Sequence, residues 1–170
     1  MTDFRPPTRY HRYYDFSIEN EPVGFFEIEA TVDRIYQRAK FVIDDAVSTN
    51  EYVLRIDGGD VTAFRTGEDT GWQDMAAYGA DAYPLSAYPL LLPTAGEKRR
   101  YRPIDEGTGA VEPERVLQWE GDTVVEIGDD EPFRSFTMQD SVPIEIDWGG
   151  AISTLGLGRE SVLRDVPVDY

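Results

Sequence analysis

Carboxylates are the most numerous chemically competent groups in this chain. The 170 residues carry 33 Asp and Glu against 16 Lys and Arg, a formal net charge of −17. Two acidic runs stand out, Asp44-Asp45 and Asp129-Asp130-Glu131. Clustered acids can hold Ca²⁺ or act as an acid–base pair, but calcium needs about six to eight converging oxygens, usually from alternate positions of one loop. Neither run has that spacing, and both fall where extended segments end, so they read as solvated turns. A second set, Glu27, Glu29, Glu145 and Asp147, alternates with apolar neighbours and occupies one strand face. That face reads as the outer one. Were it turned inward, two such acids with displaced pKa values would suit a carboxylate-dependent hydrolase or isomerase.

Other chemistries are narrower. There is no Cys and a single His, His11. Thiol nucleophiles, disulfides and zinc–thiolate sites are impossible, and one chain cannot build a multi-histidine metal site. His11 sits in Arg9-Tyr10-His11-Arg12-Tyr13-Tyr14 and reads as a surface or strand-edge residue rather than a triad member. No phosphate-binding loop, dinucleotide fingerprint or G-x-S-x-G elbow is present. Gly156-Leu157-Gly158-Arg159 is a fragment of a glycine-rich pattern in a β context, and reads as a hairpin turn. No metal or cofactor is expected.

The basic residues cluster. Lys98-Arg99-Arg100-Tyr101-Arg102 is one run, and Arg5, Arg9, His11 and Arg12 form a second basic stretch. Arginine presents a bidentate fork, so Arg100 and Arg102 are the candidates to meet an anionic head group. A net charge of −17 opposes nucleic acid and anionic membranes as partners. No run of roughly 18 apolar residues suggests a membrane-spanning helix. The opening Met1-Thr2-Asp3-Phe4-Arg5-Pro6-Pro7 has no apolar signal-peptide core. The expected compartment is the cytoplasm.

The elements that must position these groups are mostly strands. Period-two alternation recurs over 10–19, 25–33, 51–57, 61–66, 98–104, 114–119, 123–127, 133–138 and 142–148, with 151–157 and 160–166 as the last short strands. Residues 35–44 fit a helix or a strand by period, and their β-branched and aromatic content favours the strand. Asn20-Glu21-Pro22-Val23-Gly24 and Gly58-Gly59-Asp60 read as turns. Residues 67–96 differ, with aromatic and leucine residues interleaved with Pro84, Pro89 and Pro93. Proline forbids a long helix or a central strand there. A short helix near 72–78 is compatible, and the rest is an ordered insertion, either a lid over a cavity or a plug in the core.

The order of elements resembles bacterial β-rich proteins of unknown function whose curled sheet is similar to that of the periplasmic lipoprotein carriers. The likeness is one of layout, with the Pro22-Val23-Gly24 turn and the stretch Val142-Pro143-Ile144-Glu145-Ile146-Asp147-Trp148-Gly149-Gly150 as local matches. It implies an apolar cavity able to hold a lipid-like group. A lipocalin-like barrel is the neighbouring possibility.

The expectation is a mainly β, single-domain chain over 1–170, with 1–9 as a loosely packed arm. One antiparallel, strongly curled sheet or incomplete barrel of about ten strands carries the irregular insertion at 67–96. The favoured function is non-catalytic binding of an apolar or amphipathic small molecule on the concave face. The candidate lining residues are Tyr14, Phe16, Phe26, Tyr52, Phe64, Trp72, Tyr83, Tyr88, Trp119 and Trp148, with Arg100 and Arg102 at the head group. The alternatives are a carboxylate enzyme in the same cavity and an interaction protein that forms a homodimer through a sheet edge.

Overall fold

A computed structural model describes residues 9–67, 71–164 and 166–170. The expected arm at 1–9, including Arg5, therefore lies outside the described residues except for Arg9. The strands are β1 (Tyr10–Ile18), β2 (Glu21–Ala30), β3 (Arg34–Ile43), β4 (Ala46–Asp57), β5 (Asp60–Thr66), β6 (Gln73–Asp74), β7 (Ala82–Pro84), β8 (Lys98–Ile104), β9 (Arg115–Glu120), β10 (Thr123–Gly128), β11 (Glu131–Gln139), β12 (Val142–Asp147) and β13 (Ile152–Leu155). Two short helices, α1 (Tyr88–Leu91) and α2 (Arg159–Arg164), complete the described elements together with two 3₁₀ turns.

All thirteen strands belong to one sheet, in the order β6-β5-β4-β3-β2-β1-β13-β12-β11-β10-β9-β8-β7. Each strand neighbours its successor except β6 and β7, and the first pairs with the last, Tyr14 lying opposite Leu155. Both edges of the sheet therefore come from the middle of the chain, and the sheet is not closed into a barrel. The expected ten strands were too few. The two shortest, β6 and β7, are hidden among the prolines and aromatics of the insertion. The pairing is antiparallel apart from β7 with β8, which is parallel.

The hairpin turns explain the acidic runs. Glu19-Asn20, Asp44-Asp45, Asp129-Asp130 and Asp140-Ser141 each hold two consecutive residues at φ between 51° and 65°. This is the primed two-residue turn that matches strand twist and tolerates Asn and Asp. The first turn is thus Glu19-Asn20, not 20–24 as the Pro–Gly spacing suggested. Pro22 and Gly24 lie inside β2. Gly24 is there because a Cβ would stand 1.9 Å from the Lys40 carbonyl oxygen on β3. The 35–44 segment is β3, as its β-branched residues predict.

Strands from both halves of the sheet bury side chains in one cluster, among them Leu54 and Phe64 from one half and Leu117 and Phe136 from the other. Tyr88 and Leu91 of α1 lie in the same cluster, so the insertion packs into the core shared by both halves of the sheet, as a plug. The helix expected near 72–78 is replaced by β6 and a 3₁₀ turn, Met75–Ala77.

The outer face has a second, smaller layer. The strand expected over 160–166 is not found in its described residues: Arg159–Arg164 forms α2, and Val162 packs with Phe25 and Val168. Gly156-Leu157-Gly158 is the link into that helix rather than a hairpin turn. A Cβ on Gly156 would come within 2.2 Å of the Val162 side chain, so the glycine sets the close approach of helix to sheet.

Candidate functional site

The plug is shaped by its prolines. Pro84 precedes a 3₁₀ turn at Leu85–Ala87, and Pro89 occupies the first turn of α1, where its missing N–H costs nothing. Tyr88 is thereby held between two rings, 4.9 Å from Phe136 and 5.8 Å from Trp148 by centroid. After β8 the chain makes a tight turn in which the Asp105 carboxylate accepts the backbone N–H of Gly107 at 2.9 Å. The next side chain, Glu106, points inward and is only 5% exposed.

Glu106 and the plug are joined at one residue. Its Oε1 accepts the Ser86 N–H at 2.6 Å, and the Ser86 carbonyl accepts from Gln37 Nε2 at 2.5 Å. The second carboxyl oxygen, Oε2, and the Ser86 Oγ are buried without a hydrogen-bond partner. Beside them is a cavity of about 420 Å³ walled by Phe16, Phe26, Tyr52, Tyr88, Phe133 and Trp148. Gln37, Ser86, Glu106, Arg115 and Arg134 supply polar surface to it. Burial pushes the Glu106 carboxyl up to about 7, against the opposing pull of Ser86 and the Arg134 charge.

Arg134 is already engaged elsewhere. Strand register puts Glu126 directly opposite Arg134, and Glu126 is fully buried. Arg134 meets its Oε2 at 3.1 Å, Arg115 meets its Oε1 at 2.9 Å, and the Tyr101 hydroxyl donates to it. Arg115 also pairs with Glu112. Burial alone would raise the Glu126 carboxyl, but Arg134, Tyr101 and Arg115 together hold it below the usual carboxylate value.

A third buried acid lies on the outer face. Glu27 is 2% exposed, bound by His11 Nε2 at 3.0 Å and by the Tyr170 hydroxyl at 2.9 Å. The alternation placed Glu27 on the outer face, where it is. It is buried because the segment after α2 lies over it. Glu145 and Asp147 are exposed, and Glu29 is half-buried.

Of the residues selected from the sequence, Phe16, Phe26, Tyr52, Tyr88 and Trp148 line the cavity together. Tyr14 and Phe64 belong to the packed core, and the Tyr14 hydroxyl donates to the Pro143 carbonyl at 2.7 Å. Trp119 packs at the core's margin and donates to the Pro93 carbonyl at 3.1 Å. Tyr83 lies under Arg99, and Trp72 is stacked by Arg55 in an outer groove. Arg100 and Arg102 are exposed on β8 and do not line the cavity; Arg100 pairs with Glu114 at 3.1 Å. Sequence reasoning missed Gln37, Ser86, Glu106, Arg115 and Arg134. A signal existed for the strand residues: Arg134 shares its face with Phe136, Arg115 with Leu117 and Gln37 with Ile35, which puts polar groups in the inward register.

No known protein family, characterised protein or solved structure matches the chain.

Proposed function

We propose that the chain binds an apolar or amphipathic small molecule, without catalysis, in the cavity between the sheet and its plug. The observation that carries this reading is the combination of aromatic walls with one buried, unpartnered carboxyl oxygen. Concave, mainly apolar sites with a few convergent polar groups are the usual form of small-molecule pockets, and a volume of about 420 Å³ falls within their ordinary size. A native fold rarely leaves a buried acceptor unsatisfied, so Glu106 Oε2 is the atom a ligand would complete. The head-group role first given to Arg100 and Arg102 passes to Glu106, because those arginines lie outside the cavity. The carboxylate-enzyme alternative has weaker support: of the two acids lining the cavity, Asp105 is committed to its own turn.

Titration with N-phenylnaphthylamine, a neutral fluorescent apolar probe, tests the reading. The wild type is expected to show saturable one-site binding. Ala39→Phe, which fills the cavity from β3, should weaken it at least about tenfold. Absence of saturation, or equal binding in both proteins, overturns the reading.

A further inference from the structure

We infer that the cavity selects an arylalkyl amine in its protonated form, its ring against the aromatic walls and its ammonium on Glu106 Oε2. This rests on the binding reading above and names its ligand class.

Three observations carry it. The first is the orphaned acceptor. Glu106 is 5% exposed, its Oε1 is used by the Ser86 N–H and its Oε2 has no hydrogen-bond partner, so a ligand that supplies an N–H completes the set. The second is the charge balance around the cavity. Arg134 and Arg115 are both on Glu126, and Arg115 also meets Glu112, so each cavity arginine already has a carboxylate partner. Among the described residues, Glu106 has no cationic partner within ion-pair distance. An amphipathic carboxylate would therefore set two acids against each other, and an ammonium would complete a pair. The third is the wall: Tyr52, Tyr88 and Trp148 present π faces or edges around the same space, and aromatic faces favour cations.

Ionisation couples to this contact. The charged and titratable groups facing Glu106 are Asp105 on its own turn, Tyr52 from β4, Tyr88 from α1, and Arg115 and Arg134 from β9 and β11. The arginines stay charged, and burial raises the Tyr52 and Tyr88 hydroxyls above their ordinary value. A carboxyl that titrates near 7 would be mostly neutral at pH 6 and mostly ionised at pH 8. Amine affinity should rise about tenfold across that interval.

Calorimetric titration at pH 8 with three probes of one shape tests the inference: phenethylamine, phenethyl alcohol and hydrocinnamate. Phenethylamine should bind at least about tenfold tighter than the alcohol, with hydrocinnamate weakest. Glu106→Gln should erase the amine's advantage over the alcohol. Equal or tighter binding of the alcohol or the acid, or a preference that survives in Glu106→Gln, overturns the inference. Should that variant lose its near-ultraviolet dichroism, the wild-type pH series decides: a tenfold rise for the amine alone supports the inference, and a flat series refutes it. If N-phenylnaphthylamine binds saturably and phenethylamine does not, the amine inference fails while the cavity reading stands. If neither binds, the cavity reading fails and takes the inference with it.

Discussion

Two inward-pointing glutamates, Glu126 on a strand and Glu106 on a turn, are both almost fully buried and are treated by the fold in opposite ways. Glu126 stands on a central strand whose register brings Arg134 opposite, and two guanidiniums and a phenol meet it. Glu106 stands on a turn and meets one backbone N–H. The first is held below the ordinary carboxylate value and the second is raised to about 7. The difference teaches how to separate a structural buried charge from a functional one. A satisfied network fixes a core, whereas a buried acid with an unpartnered oxygen at a cavity wall is the group on which the binding proposal rests.

Breaking the satisfied member should have the largest effect. Glu126→Ala leaves Arg134 buried without a carboxylate and Arg115 with Glu112 alone, and should cost about 3–5 kcal/mol in urea denaturation. A loss below about 1 kcal/mol would show that the network holds nothing. The same experiment on Glu106 should give the opposite sign. Glu106→Gln keeps an acceptor for the Ser86 N–H and removes a buried charge, so it should stabilise the protein at pH 8 by about 2–3 kcal/mol. Destabilisation there would erase the contrast.

The pH dependence sharpens it. Glu106 titrates higher in the folded than in the unfolded chain, so its contribution is full below about 4.5 and is lost as pH rises through about 7. Glu126 titrates lower when folded, so its contribution is present above the ordinary value and is lost as pH falls through its depressed one. Melting temperatures should therefore peak near pH 4.5, falling toward acid with Glu126 and falling toward alkali between about 4.5 and 7 with Glu106, then levelling. Glu106→Gln should flatten the alkaline side alone. A smaller loss, about 1.5–3 kcal/mol, is expected for Tyr101→Phe, which removes one donor to a charged acceptor. The smallest belongs to Arg100→Ala, whose exposed pair with Glu114 should be worth under about 1 kcal/mol and whose loss should leave probe binding unchanged.

Much of the fold could be read from alternation. β3, the β4–β5 hairpin and the acidic turns follow from local residue preference, which acts over a few neighbours. The corrections arise where tertiary packing overrides it. Segment 160–166 has strand-like alternation, yet Arg159–Arg164 is a helix whose Val162 reaches Phe25 past the bare Gly156. Pro22 and Gly24 look like a turn, yet Gly24 is demanded by the backbone of β3. The site was half legible. Phe16, Phe26, Tyr52, Tyr88 and Trp148 announce themselves as aromatics in inward register or in the insertion. Glu106 does not, because a loop has no period and its burial depends on a plug twenty residues away in sequence.

The central claim is that Glu106 is the recognition group of the cavity. Carboxyl-carbon NMR of the glutamate side chains, assigned through Glu106→Gln and recorded across pH with and without phenethylamine, tests it most directly. The Glu106 carboxyl should titrate near 7 in the free protein and at clearly lower pH when the amine is saturating. A Glu106 carboxyl that titrates like an ordinary glutamate and does not respond to the amine would contradict it.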